Sequence, residues 1–192
     1  MTYQAVVIGT STGGLHALQT ILASLPADFN LPILIVQHRL PGLHDFLTFS
    51  LNETCQLPVK EASEKECIKP GRVYVAPANY HLQVERDRTL SLSIDAKVCY
   101  SRPSIDVLFE TAAETYRSGL IGIILTGAND DGTTGLKKIK AYDGLTIAQN
   151  PATAEAKVMP ASAIRENVVD KIRSLTEISS FLTQFSKSRN QP

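Results

Sequence analysis

Short apolar runs that barely alternate in polarity recur along the chain, and a stretch with helical periodicity follows each of them. The pairs are QAVVIG with GLHALQTILASL, PILIVQ with LHDFLTFSLNE, and GLIGIILTG with DGTTGLKKIKAY. Strands that are apolar on both faces are typical of parallel sheets covered by helices on each side. The sequence therefore predicts an α/β fold with three layers, a doubly wound and mostly parallel sheet, to which LTIAQ adds one more parallel strand.

The middle and the end of the chain have a different pattern. RVYVAP, HLQVER and TLSLSI are β-rich segments separated by Pro77 and Asp87, and they predict an antiparallel meander or hairpin at one edge of the sheet. The segment LTEISSFLTQFSK predicts a last helix that closes the domain. Residues 188–192 are expected to form a frayed tail.

Length and charge exclude several classes of protein. The 192 residues fit one compact domain, which we place at residues 1–187. Lys plus Arg and Asp plus Glu each number 19, so the net charge is zero and a nucleic acid is not an expected partner. Since no apolar run is long enough to cross a bilayer and no basic leader precedes the first one, we expect no membrane insertion and a cytoplasmic location.

The cysteines and histidines predict neither a disulfide framework nor a metal centre. Cys55, Cys67 and Cys99 are scattered without CxxC spacing, which favours free thiols in a reducing compartment. The four histidines have no ligand spacing either. We therefore expect no metal and no cofactor.

The turn GTSTGG, which follows the first strand, has two functional interpretations. It reads G-x-S-x-G, the pattern of a nucleophilic serine on a sharp strand-to-helix turn, with the Thr12 amide and the helix start facing an oxyanion. It also resembles a phosphate-binding loop, although Ser11 replaces the second glycine of G-x-G-x-x-G and a Walker lysine is missing. From this turn alone the two interpretations are about equally favoured, and a tight turn without function is slightly less favoured.

Two further polar groups follow predicted parallel strands. His38 ends PILIVQH, and Asp130 and Asp131 follow IGIILTG, so they should meet Ser11 at the carboxyl edge of the sheet, where α/β proteins place ligands. A base and an orienting carboxylate are what a serine nucleophile needs. However, His38 could also serve a backbone carbonyl and either aspartate could cap a helix. The spacing does not choose between the two aspartates.

The remaining candidates fit less well. His16 and His44 lie within predicted helices and His81 lies in the β-rich region, so we interpret all three as structural or exposed. Asp106, in RPSIDVLF, lies on a predicted helix that could flank the site in a supporting role.

Seven segments together carry a resemblance to a known family. IGTSTGGLHAL, IVQHRLPG, VYVAPANYHLQV, RPSIDVLF, IILTGANDDGTTGL, TIAQNPATA and MPASAI resemble, in order and spacing, the catalytic domain of the chemotaxis protein-glutamate methylesterases. The similarity extends from about residue 5 to about residue 173. It implies a Ser-His-Asp triad whose members match Ser11, His38 and Asp131, and it thereby selects Asp131 over Asp130. It also implies that Thr12, Gly13 and Ala128 line the site around the oxyanion.

The resemblance also implies an activity and its partners. The family hydrolyses γ-glutamyl methyl esters on the cytoplasmic helices of chemoreceptors, and it often deamidates receptor glutamines as well. Here Ala128 and Asn129 replace the Met-Gly pair of the best-known members, and AKVMP lacks the glycine that often precedes Met-Pro. Typical members carry an N-terminal receiver domain, which this sequence does not show. The chain is then an excised domain, a naturally unregulated short form, or part of a system whose control lies on another chain, in which case a separate phosphoacceptor regulator is a candidate partner.

Two other functions compete with this one. The first is a noncatalytic α/β module that binds a receptor helix or an anion, and the second is an esterase with a different protein substrate. In each case, residues 39–43 and 100–104 are expected to shape the substrate groove. Arg39 and Arg102 could meet the acidic surface of a substrate helix there, although a single surface arginine is more often simply solvated.

Overall fold

A parallel sheet forms the centre of the fold in this computed structural model, which describes residues 2–39 and 46–186. The strands in chain order are β1 (Ala5–Thr10), β2 (Ile33–Gln37), β3 (Val59–Glu61), β4 (Val73–Val75), β5 (His81–Val84), β6 (Leu90–Ser93), β7 (Leu120–Ile124), β8 (Leu145–Gln149) and β9 (Lys171–Arg173). Seven of them form the main sheet in the order β3-β4-β2-β1-β7-β8-β9. Every pair of neighbours in that sheet is parallel.

Helices cover both faces of the sheet. They are α1 (Gly14–Leu22), α2 (Phe46–Thr54), α3 (Ile105–Tyr116), α4 (Thr133–Ala141), α5 (Val158–Arg165) and α6 (Leu175–Leu182). Alternate residues of β1 belong to separate cores: Val7 packs with α3, α4 and α5, and Val6 packs with α1, α2 and α6. Both residues are fully buried, which explains why the strand sequence does not alternate. The predicted three-layer, doubly wound α/β fold is confirmed.

One segment of the predicted meander belongs to the main sheet instead. Val73–Val75, from RVYVAP, forms β4 and pairs in parallel with both β2 and β3. All three residues are fully buried, as a strand in the interior of a parallel sheet requires. The prediction that RVYVAP belongs to the antiparallel region is therefore wrong.

The other two segments form the antiparallel hairpin, but it is separate from the main sheet. β5 and β6 pair with each other as a two-stranded sheet. Leu82, Val84 and Leu90 are buried in the same core as Leu108 and Phe109 of α3. The hairpin thus packs on helix α3 instead of extending an edge of the sheet, because its apolar side needs a partner surface.

Several short elements lack a clear signal in the sequence. β3 and β9 contain three residues each, and β9 is exposed throughout, so neither has an apolar run that would reveal it. The last helix is present as α6 and starts at Ser174 with a capping box that includes Glu177. The predicted frayed tail and His44 lie outside the described residues. The three cysteines form no disulfide.

Among residues 2–39 and 46–186, no helix is long and apolar enough to span a bilayer.

Candidate active site

The turn that carries Ser11 lies between β1 and α1 at the carboxyl edge of the sheet. Gly13 has a φ of 77° and precedes the helix as its N-cap, a conformation that favours glycine. The Ser11 amide donates to the Thr126 carbonyl at 2.9 Å, and the His38 amide donates to the Thr10 carbonyl at 3.0 Å. These bonds fix the ends of three neighbouring strands relative to one another.

His38 and Asp131 form a direct pair at this edge. His38 Nε2 lies 2.7 Å from Asp131 Oδ2. The Asp131 side chain is fully buried, whereas 11% of the His38 side chain is exposed. Asp130, by contrast, is exposed. The structure therefore brings together His38 and Asp131, the aspartate that the family resemblance selects.

The N-terminus of α3 holds the Asp131 carboxylate. Oδ1 accepts hydrogen bonds from Ser104 Oγ at 2.9 Å and from the Asp106 amide at 3.0 Å. Oδ2 accepts one from the Ile105 amide at 2.7 Å. Amides at the start of a helix and the helix dipole both stabilise a negative charge. A fully buried carboxylate can therefore remain charged beside the imidazole of His38.

The second nitrogen of His38 faces away from Asp131. His38 Nδ1 lies 3.5 Å from Ser101 Oγ. The parallel register pairs Thr10 with Gln37, so Ser11 and His38 are the next residues on neighbouring strands. Within residues 2–39 and 46–186, no hydrogen bond joins the Ser11 hydroxyl to His38. Because Asp131 occupies Nε2, Nδ1 is the ring nitrogen that remains available to a reacting group.

Backbone amides are available around Ser11. Thr12 is exposed, and within the described chain neither its amide nor that of Gly13 donates a hydrogen bond. Ala128 is exposed just beyond β7, at the same edge of the sheet. The Glu155 side chain lies over the turn, since a Cβ on Gly13 would come within 2.7 Å of its Oε2.

A groove of about 310 Å³ opens beside His38 and Ser101. Its wall contains three cationic side chains, those of Arg39, Lys97 and Arg102. Arg39 forms an ion pair with Glu61, and Arg102 donates to the carbonyl of Ile94 at 2.6 Å and to that of Asp95 at 2.9 Å. In both arginines Nε is buried without a hydrogen-bond partner. The groove therefore presents positive charge next to the histidine, although residues 40–43, the rest of the first predicted groove loop, lie outside the described residues.

Asp106 lies directly behind Asp131. It is 5% exposed, and burial raises the pKa of its carboxyl to about 7, with a further upward contribution from the charges of Asp131 and Glu110. Burial and the charges of Asp131, Asp106 and Asp130 raise the pKa of the Cys99 thiol to about 11, so this thiol is poorly nucleophilic near neutral pH. The predicted supporting position of Asp106 beside the site agrees with this placement.

Cys99, Asp106 and Asp131 also lie within the distance that a metal ion would require, with ligand atoms within 4.8 Å of one another. Both oxygens of Asp131 already accept hydrogen bonds from the start of α3. Hydrogen bonding therefore accounts for this cluster, and the absence of a metal stays a prediction.

Two serines that contact the His38–Asp131 pair, Ser101 and Ser104, were not predicted as its partners from the sequence. Ser104 is fully buried and is the N-cap of α3; its position before IDVLF was a signal, because serine is favoured there. Ser101 has no such signal, since a bend of the chain brings it to His38. Among the other histidines, His16 is exposed. His81 is buried, with Nε2 at 3.1 Å from the Ala96 carbonyl oxygen and Nδ1 accepting from the Ser104 amide, as expected for a structural histidine.

The fold and the site define an α/β protein that carries a serine, a histidine and a buried aspartate at the carboxyl edge of its parallel sheet. A profile of the family described as CheB methylesterase matches residues 6–182. The chain belongs to the CheB methylesterase family, hydrolases of methyl esters that act in chemotaxis. The resemblance predicted from the sequence is thus confirmed.

Individual relatives agree with this assignment. The crystal structure of the Thermotoga maritima CheB methylesterase catalytic domain aligns with a TM-score of 0.91 and 38% identity, over 96% of this chain and 99% of that one. A Leptospira interrogans protein, provisionally named protein-glutamate methylesterase/protein-glutamine glutaminase, is 52% identical over 98% of this chain and 97% of its own length. A Thermotoga maritima protein of that name is 41% identical over 87% of this chain, which corresponds to 49% of that relative.

Removal of the Ser104 hydroxyl should destabilise the fold. Ser104→Ala removes one of the two hydrogen bonds that Oδ1 of the buried Asp131 carboxylate accepts, which costs about 1–3 kcal/mol in the free energy of unfolding. Urea denaturation measures this cost. Ser101→Ala is the matched control, because its hydroxyl makes only long contacts of 3.4 and 3.5 Å. Equal stability of the two variants would contradict the importance of the Ser104 bond.

The ionisation of Asp106 should make stability depend on pH. Because the pKa of this carboxyl is raised in the folded state from 3.8 to about 7, the folded protein binds the proton more tightly than the unfolded chain does. The contribution of the protonated Asp106 carboxyl to the free energy of unfolding is fully present below about pH 4 and is lost as the pH rises to about 7. In Asp106→Asn this loss disappears, so the stability of the variant relative to the wild type should increase between pH 4 and 7. Parallel denaturation curves at several pH values test this, and a constant difference would contradict it.

Proposed function

We propose that this chain is a protein-glutamate methylesterase that removes methyl esters from glutamate side chains of chemoreceptors, with Ser11 as nucleophile, His38 as general base and Asp131 as the orienting carboxylate. The observation that carries the proposal is the buried His38–Asp131 pair, joined at 2.7 Å, at the end of the strand next to the one that carries Ser11. The names of the relatives support the choice of substrate. The proposed domain comprises residues 1–187.

Acylation begins when Ser11 Oγ attacks the ester carbonyl carbon and its proton passes to His38 Nδ1. The imidazolium is stabilised by Asp131, which stays ionised because the start of α3 donates three hydrogen bonds to it. Collapse of the tetrahedral intermediate breaks the bond to the methoxy oxygen, which takes the proton from His38 and leaves as methanol. Ser11 then carries the glutamyl acyl group.

Deacylation repeats these steps with water as the nucleophile. His38 takes a proton from the water as its oxygen attacks the acyl carbon, and on collapse the proton returns to Ser11 Oγ. The receptor glutamate is released as a carboxylate. The same steps on a glutamine side chain release ammonia instead of methanol, which matches the second activity in the names of the relatives.

The oxyanion is expected to be bound by backbone amides. Thr12 and Gly13 offer unpaired amides at the start of α1, and the dipole of that helix favours negative charge. We assign Ala128 to the same wall of the site. These residues supply no side chain to the reaction, so the departure from Met-Gly at Ala128 and Asn129 affects the shape of the pocket more than the chemistry.

The phosphate-loop interpretation of the same turn is less favourable. The Glu155 carboxylate lies against Gly13, and a second negative group at this helix start would be repelled. An oxyanion that forms only during the reaction carries less charge than a bound phosphate, so its repulsion by Glu155 is weaker. The turn therefore suits a nucleophile better than a phosphate.

The cationic groove suggests how the substrate is recognised. Arg39, Lys97 and Arg102 would face the acidic side chains that surround the esterified glutamates on a methylated chemoreceptor helix. Since these receptor helices are cytoplasmic, the proposal places the enzyme in the cytoplasm, and a separate phosphoacceptor protein is its proposed regulator.

Replacement of Ser11 tests the nucleophile. Ser11→Ala should lower the rate of methanol release from methylated receptor membranes by about four to six orders of magnitude. Ser24→Ala, at the opposite end of α1 and exposed, is the matched control and should keep the wild-type rate. Methanol release by Ser11→Ala at the wild-type rate would overturn the assignment of the nucleophile.

A fluorophosphonate probe separates the chemistry from the substrate. This probe phosphonylates an activated serine, whose oxygen attacks phosphorus and displaces fluoride, whatever the natural substrate is, and we expect it to label the wild type at Ser11. Labelling without methanol release would retain the triad but reject the receptor as substrate. Absence of both labelling and methanol release would favour the noncatalytic binding module.

The positive groove should act on binding more than on chemistry. Arg102→Gln is expected to raise KM for methylated receptor several-fold at low ionic strength with little change in kcat, and the effect should shrink as salt is added. Arg86→Gln, exposed on the β5–β6 turn, removes the same charge far from the groove and should leave KM unchanged. An unchanged KM in Arg102→Gln would exclude the groove from receptor binding.

A further inference from the structure

Two buried aspartates link the helices that begin behind the site. Asp131, just before α4, accepts hydrogen bonds from the first amides of α3. Asp106, in the first turn of α3, uses Oδ1 to accept hydrogen bonds from the amides of Gly132 at 2.9 Å and Gly135 at 2.7 Å, at the start of α4. Each helix therefore receives its N-terminal acceptor from the other, a reciprocal arrangement that couples α3 to α4.

The two helices are unusually close where these bonds form. A Cβ at Gly135 would lie 2.4 Å from Phe109 Cβ and 3.3 Å from Asp106 Cα, far inside normal contact distance. No side chain fits there without moving a helix. The short separation is what brings the Asp106 carboxylate within hydrogen-bond distance of two amides on α4.

The position of one of these amides connects Asp106 to the reaction. The amide of Gly132 belongs to the peptide bond that directly follows Asp131. A hydrogen bond to it restrains the backbone from which the Asp131 side chain extends towards His38. Conversely, loss of that bond would free the loop between β7 and α4, while the bonds from α3 to Asp131 would remain.

Burial of Asp106 is costly for the fold. The side chain is 5% exposed and faces Asp131, Glu110 and the Cys99 thiol, whose Sγ lies 3.9 Å from Oδ2. No cation among the described residues pairs with it, so its ionised form has only amide donors for compensation. A carboxylate that is buried at such a cost is a candidate for function.

We propose that Asp106 is a positioning residue of the active site, which holds the Asp131–Gly132 peptide so that the Asp131 carboxylate meets His38 Nε2. The inference rests on the proposed function of Asp131. Asp106 does not touch the reacting atoms. It acts through the loop that carries Asp131.

A pair of variants tests this role. Asp106→Ala removes the acceptor and should lower kcat for methanol release by about 10- to 100-fold, by analogy with residues that orient metal ligands through hydrogen bonds, with KM changed by less than about twofold. Asp106→Asn keeps an oxygen acceptor of the same shape and should restore kcat to within a few-fold of the wild type. Failure of Asn to rescue, or unchanged kcat in the Ala variant, would overturn the proposal.

Asp170→Ala is the control for a purely structural loss. Asp170 likewise accepts hydrogen bonds from the Thr146 amide and hydroxyl, at 3.0 and 2.8 Å, and it pairs with Lys140 at the other side of the molecule. Its replacement should lower stability without lowering kcat. If Asp106→Ala and Asp170→Ala both left kcat unchanged at equal losses of stability, Asp106 would be merely structural.

Two readouts make the test independent of the receptor. The rate of fluorophosphonate labelling at Ser11 should follow the same order, wild type, then Asn, then Ala, even if the receptor is not the substrate. The NMR titration of His38 reports its contact with Asp131 without any catalysis, and it should change in Asp106→Ala but much less in Asp106→Asn. An active wild type with identical His38 titration curves in all three proteins would reject the positioning role and leave the proposed function intact.

Discussion

The buried charge of Asp131 is the interaction on which the architecture of the site depends. A carboxylate with no exposed surface is costly to bury, and here the start of α3 compensates it with two amides and the Ser104 hydroxyl. The start of α3 therefore lies directly against the Asp131 carboxylate. The same negative charge orients His38, so one electrostatic arrangement serves both the fold and the proposed chemistry.

Much of this arrangement could be predicted from the sequence because strand order along the chain determines which residues share an edge. Ser11, His38 and Asp131 each follow a buried parallel strand, and the carboxyl ends of such strands converge. The periodicity also predicts the principal helices and the central strands correctly. The choice of Asp131 over Asp130 came from the family resemblance, and burial gives its physical basis: Asp131 is enclosed at the start of α3, whereas Asp130 is exposed.

Other features could not be predicted because they depend on contacts between segments distant in sequence. The sequence of β4 suggests part of a meander, and only its pairing with two parallel neighbours shows that it belongs to the main sheet. β9 is an exposed three-residue edge strand with no apolar pattern. Ser101 reaches His38 through a bend in the chain, and the Asp106 bonds to α4 depend on how closely two helices pack at Gly135. Local propensity carries no information about such distances.

The hairpin that packs on α3 has two ends with very different mechanical roles. At one end, the buried ring of His81 accepts a hydrogen bond from the Ser104 amide, and the Ser104 hydroxyl donates one to Asp131. Consecutive hydrogen bonds therefore anchor this end to the His38–Asp131 pair. At the other end, Asp87 forms a solvent-facing turn in which its carboxylate accepts bonds from Thr89. Protein engineers who need an attachment point for a fluorophore or an affinity handle should therefore choose the turn around Asp87, where an insertion extends into solvent, and should leave the His81 end intact.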